Sequence, residues 1–306
     1  KEGSETLGPP AILLAPFVRL LGGFAGVEAA EAERAWVGTA TILDGRLGPG
    51  ETVGVHHVVT GSDHAEIDGF TITGGRASAT TGTALDMAGA GMINFGCSPV
   101  VRNCTFEGNE AMASMGKGAA MANIEGASPM IERCAFRGNS TGGGGGAIVN
   151  QAGSSPWVVE STFEGNSAVD GGAVYSMLDS APIFERCWFE GNEAGNSGGA
   201  VALGNVLAIF ESSVFLRNVA GRNGGAVYVS MGTPAFSGCT FAGNVSEWGG
   251  GGAVLSAGGA AVLVEHSVLW QDAPLEVEAI EGGGILLERC VLTTFLVGDG
   301  NIEADP

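Results

Sequence analysis

A short stretch of the chain carries residue types that often perform acid–base or metal chemistry. It contains His56, His57, Asp63, His64 and Glu66. Imidazole and carboxylate groups act as general bases and as metal ligands, so the stretch could supply either function if the fold brings the side chains together. Asp63, His64 and Glu66 are the candidate catalytic residues.

Acidic and basic residues form a second pattern just before a repeated Cys or Ser. Its glutamates are Glu132, Glu185, Glu211, Glu265 and Glu288, and its arginines are Arg133, Arg186 and Arg289. Ca²⁺ prefers carboxylate oxygens, so Glu132, Glu185 and Glu211 are candidate ligands, but the sequence has neither an EF-hand loop nor a GGxGxD repeat. Alternating Glu and Arg on stacked strands more simply form exposed ion pairs, each worth well under about 1 kcal/mol. We therefore expect no cofactor, with Ca²⁺ as the alternative.

Large aromatic side chains are candidates for binding an extended ligand such as a polysaccharide. They offer a flat apolar surface with a polar edge. The candidates are Trp157, Trp188, Trp248 and Trp270, accompanied by Tyr175 and Tyr228. Trp157 and Trp188 occupy different positions on their strands, so the sequence predicts no single aromatic platform.

All these residues belong to, or border, a repeated unit whose clearest copy runs from Ser180 to Leu203. Each copy has a Cys or Ser, and all but the last two copies have a Phe two positions later and an Asn three positions after the Phe; the last two have Leu269 and Leu292 in place of the Phe. The cysteines are Cys104, Cys134, Cys187, Cys239 and Cys290, and Ser161, Ser213 and Ser267 occupy the other copies. The phenylalanines are Phe106, Phe136, Phe163, Phe189, Phe215 and Phe241. The asparagines are Asn109, Asn139, Asn166, Asn192, Asn218 and Asn244.

The period of the repeat, about 26 residues, favours a solenoid of stacked parallel strands, because a helical repeat needs longer 3.6-periodic runs and far less glycine. Identical residues then stack at about 4.8 Å, and the Phe column fills the core at about 1.5–3 kcal/mol per side chain. We expect Phe184, Cys187 and Phe189 to point inward from one strand, with a bulge or bend between the first two. We expect the Asn column at a turn, where Asn tolerates left-handed backbone and bonds to the next amide, and glycine at the other corners with positive φ.

The six cysteines do not predict a disulfide framework. Those of the inward column behave as small apolar side chains, and we expect mostly free thiols. Cys104 and Cys134 lie in neighbouring copies and could be close enough to bond. Cys97 lies outside the column and is the cysteine we expect to be most exposed or reactive.

The acidic composition of the chain limits the kinds of partner that it can bind. The net charge of −20, from 33 acidic and 13 basic residues, argues against nucleic acid and anionic membrane surfaces. The apolar run from Ala11 to Gly26 is interrupted by Pro16 and Arg19, so we expect no transmembrane segment. We expect lead-in or capping coils, including Trp36, over residues 1–50 and one continuous solenoid over residues 51–306.

The repeat also carries a family resemblance. GGAVYS and GGAVYVS, together with FEGN, FRGN and FAGN, resemble the repeats of polymorphic outer-membrane-protein passengers. CSPVVRNCTFEGN and ASPMIERCAFRGN are similar to coils of bacterial right-handed parallel β-helix proteins of the pectate-lyase superfold. The resemblance implies an all-β, right-handed, single-stranded parallel β-helix of roughly ten coils. It also implies a location outside the cell or on the surface of a bacterium, and a longer chain than the one given.

The same resemblance suggests two kinds of chemistry. Asp63-His-Ala-Glu66 resembles the catalytic Asp-Pro-His-Glu of alginate epimerases, but lacks the proline. A carboxylate ladder that binds Ca²⁺, with Arg186 as the base, resembles pectate lyases, whereas the Asp pair and Gly-His-Gly of polygalacturonase-like hydrolases are absent.

Two hypotheses follow from the sequence. The first is a non-enzymatic extracellular or cell-surface spacer, adhesin or subunit of a larger assembly, which includes a filamentous one, because nearly every repeated residue has a structural role. The alternative is a β-helix that binds, degrades or modifies a polysaccharide. The partners are then further copies of the chain, other surface proteins or a polysaccharide.

Overall fold

The computed structural model describes residues 12–28, 30–35, 40–46, 54–77, 84–112, 115–293 and 301–303. In these ranges the chain winds into a parallel β-solenoid, with two short 3₁₀ helices, η1 (Glu31–Glu33) and η2 (Ala84–Met87). Successive coils stack their short strands into long sheets, and every pair of strands within a sheet is parallel. The predicted all-β fold, a right-handed parallel β-helix, is confirmed.

Sheet 1 contains the strands that follow the Gly-rich turns. They are β1 (Ile12–Leu13), β4 (Val59–Thr60), β7 (Met92–Phe95), β11 (Met121–Ile124), β15 (Ile148–Gln151), β19 (Val174–Met177), β23 (Val201–Val206), β27 (Val227–Gly232), β31 (Val254–Ser256) and β34 (Val277–Ala279). Sheet 2 follows in each coil. Its strands are β2 (Arg19–Leu21), β5 (Glu66–Asp68), β8 (Val100–Arg102), β12 (Met130–Glu132), β16 (Trp157–Val159), β20 (Ile183–Glu185), β24 (Ile209–Glu211), β28 (Ala235–Ser237), β32 (Ala261–Glu265) and β35 (Gly284–Glu288).

Sheet 3 begins just after the Cys or Ser of each coil. Its strands are β3 (Thr41–Asp44), β6 (Phe70–Thr73), β9 (Thr105–Glu107), β13 (Ala135–Arg137), β17 (Thr162–Glu164), β21 (Trp188–Glu190), β25 (Val214–Leu216), β29 (Thr240–Ala242), β33 (Val268–Trp270), β36 (Val291–Leu292) and β37 (Ile302–Glu303). Sheet 4 starts just after the Asn. Its strands are β10 (Glu110–Ala111), β14 (Ser140–Thr141), β18 (Ser167–Asp170), β22 (Glu193–Ser197), β26 (Val219–Ala220) and β30 (Val245–Ser246).

The core is built from two phenylalanine columns. In sheet 3, Phe189 stacks on Phe163 at 4.6 Å and on Phe215 at 4.8 Å between ring centroids. In sheet 2, Phe184 stacks on Phe210 at 4.9 Å, and the ring of Phe184 meets that of Phe189 edge to face. Phe184 and Phe189 therefore come from two strands in two sheets, and the expectation of a single strand was wrong.

The asparagine column forms a buried hydrogen-bond ladder. The Nδ2 of Asn166 donates to the Oδ1 of Asn192 at 2.9 Å and to the carbonyl of Phe136 at 3.0 Å. The same contacts recur from Asn109 to Asn244. The left-handed residue is the one before the Asn, for example Gly165 with φ of 60°, so the expected left-handed Asn was wrong.

The corner between sheets 2 and 3 also differs from expectation. Its positive φ falls mostly on residues with side chains, where glycine was expected. These are Asn103, Arg133, Glu160, Arg186, Ser212, His266 and Arg289, with φ between 49° and 54°, and glycine takes the position in two coils, as Gly69 and Gly238. Left-handed backbone costs L-residues roughly 1–2 kcal/mol. The stacking of the coils therefore imposes this corner on the local sequence.

The first coil already begins within residues 1–50. Strands β1, β2 and β3 form the N-terminal ends of sheets 1, 2 and 3, and each pairs with a strand of the next coil. Trp36, which we expected in a cap, lies outside the described residues.

Candidate binding groove

The histidine stretch does not come together as one site. The ring of His64 stacks on that of Phe17 at 4.8 Å, and the Asp63 carboxylate accepts a hydrogen bond from the backbone N–H of Ser98 at 2.9 Å. The Glu66 carboxylate forms ion pairs with Arg19 at 2.8 Å and with Arg102 at 3.1 Å. The three candidate catalytic side chains thus each have a separate structural partner.

The two histidines before them face a different element. His57 is buried with its Nδ1 3.0 Å from the carbonyl of Gly89, and burial lowers the pKa of its imidazole. His56 Nδ1 lies 3.6 Å from the Asp86 carboxylate in η2. In the described ranges, no group of three or more His, Cys, Asp or Glu side chains is placed to hold a metal ion.

The glutamate column lies on sheet 2 and forms ion pairs. Arg102 bridges Glu66 and Glu132, the latter at 2.8 Å, and Arg133 also pairs with Glu132. Arg186 pairs with Glu160 at 3.1 Å and Glu185 at 3.4 Å. Further along the sheet, Glu211 lies beside Glu185, and Glu265 lies beside Glu288. The guanidinium of Arg289, the residue after Glu288, lies 3.2 Å from the ring of His266. Most of this column takes part in contacts between or within coils.

The four candidate tryptophans are spread over three parts of the surface. Trp157 lies on sheet 2, where its Nε1 donates to Glu185 at 2.9 Å. Trp188 and Trp270 lie on sheet 3, and Trp188 donates to Glu190 at 2.8 Å. Trp248 follows sheet 4 in a loop and is 86% exposed. Trp248 lines a depression in the described surface, together with Arg222 and Asn223.

All six cysteines are free thiols. Burial raises the pKa of Cys104, Cys187 and Cys239 to about 12, so the thiolate form is strongly disfavoured. The Cys187 S–H points to the carbonyl of Val158 at 3.5 Å. Cys97 is partly exposed, but desolvation raises its pKa as well, which lowers its reactivity.

A groove follows the outer face of sheet 1. Three adjoining depressions of about 470, 370 and 620 Å³ share residues, Asp170 and Tyr175 between the first two and Arg222 and Asn223 between the last two. The first two depressions lie between the outward column of sheet 1 and the segments that lead from sheet 4 to sheet 1, and the third lies on those segments and the adjoining end of sheet 4. From β11 to β27 the groove crosses four strand spacings, or about 19 Å.

The groove changes character along its length. The end lined by Leu85, Ile124 and Val149 is apolar, and we refer to it as the apolar cavity. The other end is polar and aromatic, and we refer to it as the polar groove. Its lining includes Asn196, Arg222, Asn223, Tyr228, Glu247 and Trp248. Burial raises the pKa of Tyr175 and of Tyr228, and the Asp170 carboxylate, where the two parts of the groove meet, adds to the increase.

Of the residues that line this groove, the sequence pointed only to Tyr175, Tyr228 and Trp248. Its side chains come from different positions in different coils, so no column in the sequence identifies them. A weak signal existed, because outward positions of a solenoid strand are usually polar, whereas Ile93, Ala122 and Val149 are apolar.

Comparison with known proteins agrees with the architecture. The family model described as a right-handed β-helix region matches residues 53–271, so the chain belongs to this family. No curated protein and no solved structure matches the chain significantly. No helix of the described ranges is long and apolar enough to span a membrane.

Proposed function

We propose that the protein is a non-enzymatic β-helical scaffold that works outside the cell or on a bacterial surface. The observation that carries this proposal is that every candidate catalytic side chain is held by its own structural contact. His64 stacks on Phe17, Asp63 accepts a hydrogen bond from Ser98, and Glu66 pairs with two arginines. The resemblance of the GGAV and FxGN units to polymorphic outer-membrane-protein repeats supports the surface location. The net charge of −20 favours solubility over binding to nucleic acid.

The test is a turnover assay on a panel of acidic and neutral polysaccharides, with and without added Ca²⁺. The scaffold proposal expects no product above background. Turnover that disappears in His64→Ala or Glu66→Ala, but persists in Glu164→Gln on sheet 3, would overturn it. Imaging the purified protein by cryo-electron microscopy asks separately whether the rods join end to end into filaments or remain single.

A second function, polysaccharide binding, is favoured by the polar groove. Tyr228 and Trp248 provide aromatic surface, while Asn196, Arg222 and Asn223 provide amide and guanidinium groups in the same depressions. This mixture suits a neutral or acidic sugar chain, because rings can pack on the aromatic groups and hydroxyls can bond to the polar ones.

Glycan arrays followed by titration monitored by tryptophan fluorescence test this second function. We expect Trp248→Ala and Tyr228→Ala to weaken binding at least tenfold, and Trp157→Ala on sheet 2 to leave it unchanged. Equal affinities in all three variants would place any sugar site elsewhere.

A further inference from the structure

An apolar cluster lies outside the coil, on the outer face of sheet 1. Ile93, Ala122 and Val149 stack in register on β7, β11 and β15 and are buried, although they point away from the phenylalanine core. Leu85 of η2 and Ala88, the residue after η2, cover one end of the cluster. Tyr175 packs against the other end. The cluster forms the inner wall of the apolar cavity.

The cavity has the size and lining of a small-molecule site. Its volume of about 470 Å³ falls within the range usual for such sites. Met87, Met115 and Met177 contribute flexible apolar side chains that adapt to a ligand. A Cβ at Gly144 would lie 2.2 Å from the ring of Tyr175, so the glycine is what lets this ring lie against the loop.

One cation is held inside this apolar lining. The backbone of Lys117 is fixed from both sides: its N–H donates to the carbonyl of Met87, and its carbonyl accepts from the N–H of Gly89, both at 3.1 Å. It also forms a bridge to Gly144 in the next coil. The side chain is therefore directed into the cavity from a fixed point.

The Lys117 ammonium has only weak partners. Its Nζ lies 3.4 Å from Oε1 of Gln151 and 3.8 Å from Sδ of Met177, and among the described carboxylates none forms an ion pair with it. Burial lowers the pKa of Lys117, with no opposing contribution from a neighbouring acid. Asp170, at the far end of the cavity, instead accepts a hydrogen bond from Asn196 at 2.8 Å. In a chain with 33 acidic residues, a half-buried ammonium with no carboxylate partner is complementary to an anion from outside.

We propose that the apolar cavity binds an amphiphilic monoanion, a single acyl chain that ends in a carboxylate. The chain lies against Ile124, Val149 and Met177, and the carboxylate pairs with the Nζ of Lys117. This site does not depend on the polar groove, so sugar binding and acyl binding can fail separately.

The first experiment is calorimetric titration with decanoate and with decanol, both below their aggregation concentrations. We expect wild-type protein to bind decanoate more tightly than decanol. Lys117→Met, which keeps an apolar side chain of similar length, should weaken decanoate binding about tenfold or more and leave decanol binding unchanged. Lys117→Arg should retain decanoate binding, and Arg137→Met, an exposed cation of sheet 3, is the matched control. Absence of decanoate binding to wild type, or equal loss in Lys117→Met and Arg137→Met, would overturn the proposal.

The second experiment observes the ammonium directly. The chain has only two lysines, Lys1 and Lys117, so reductive ¹³C-methylation gives few signals, and the one lost in Lys117→Met identifies the residue. We expect the pKa of Lys117 to rise when decanoate binds, because an anion stabilises the charged form, and to stay unchanged with decanol. A Lys117 pKa that does not respond to decanoate would exclude the pairing even if binding is observed.

Discussion

The inside of the solenoid and the outer face of sheet 1 are formed by the same coils but follow different rules. Inside, one residue type recurs from coil to coil: Phe163, Phe189 and Phe215 stack with ring planes within 6° of each other. Outside, the column runs Val149, Tyr175, Ala202, Tyr228 and Leu255, and the residue type changes at each coil.

This difference in residue variation indicates that the repeated inner positions serve folding and the varied outer positions serve binding. A solenoid core needs each coil to match its neighbours, because identical side chains fill the cross-section uniformly. A binding site needs particular groups at particular places, and these cannot repeat. The varied outer face therefore holds the groove, whereas the repeated positions hold the fold together.

The largest expected effect comes from removing a ring on the inside. Phe189→Ala should cost about 3–5 kcal/mol, because it opens a cavity in a fully buried column. Tyr228→Ala, on the outer face, should cost about 1 kcal/mol or less. Thermal denaturation followed by circular dichroism compares the two. An unchanged melting curve for Phe189→Ala would refute the stacked core.

The next effect lies at the end of the asparagine ladder, where Asp272 replaces the amide. Burial raises its pKa to about 7, and Glu276 adds to the increase. Its Oδ1 accepts from Asn244 at 2.7 Å, whereas its Oδ2 is buried without a hydrogen bond. The folded protein therefore binds this proton more tightly than the unfolded chain, and the stabilisation present below about pH 4 is lost as the pH rises through 7.

The pKa difference corresponds to about 4 kcal/mol at most. Asp272→Asn should restore the ladder, stabilise the protein at pH 8 and remove this pH dependence, which denaturation at pH 4, 6 and 8 measures. Glu164→Gln, an exposed acid, is the control. If Asp272→Asn left the pH profile as it is in the wild type, a different group would be responsible.

A smaller effect is expected at the corner between sheets 2 and 3. Ser212 has φ of 49° and Gly238 fills the same corner one coil later with φ of 62°. Ser212→Gly should stabilise the fold by about 0.5–1 kcal/mol, and Gly238→Ser should destabilise it by a similar amount, because only glycine adopts this backbone without steric cost. A Cβ at Gly238 would lie 3.6 Å from the nearest atom, so steric contact with neighbouring atoms does not contribute to the expected loss of stability. Changes of the same sign in both variants would contradict the strain argument.

The smallest effect belongs to the exposed ion pairs. Arg137 and Glu164 lie 3.0 Å apart on neighbouring coils, with about half of each side chain in solvent. Arg137→Met and Glu164→Gln should each change stability by less than about 1 kcal/mol, and the double variant should match their sum closely. A double-mutant cycle by chemical denaturation measures the coupling, and a coupling above this limit would mean that such pairs contribute substantially to holding the coils together.

The sequence by itself determined the solenoid, its period and its Phe and Asn columns, since stacked parallel coils place equivalent residues of each repeat one above another. The sequence also predicted that most of the cysteines are free thiols, which the structure confirms. It missed the second phenylalanine column of Phe184, Phe210 and Phe236, and a second buried amide ladder from Asn94 through Asn123 to Asn150.

Only the tertiary structure decided the rest. The bend that places Phe184 and Phe189 in different sheets depends on a left-handed corner that the local residue types do not predict, because residues with side chains occupy it more often than glycine. The separate partners of His64, Asp63 and Glu66, and the position of Lys117 beside Val149 and Met177, likewise depend on which coils are neighbours. A repeat identifies the residues that stack, whereas a site is made by residues that occur once and meet only when the coils are wound together.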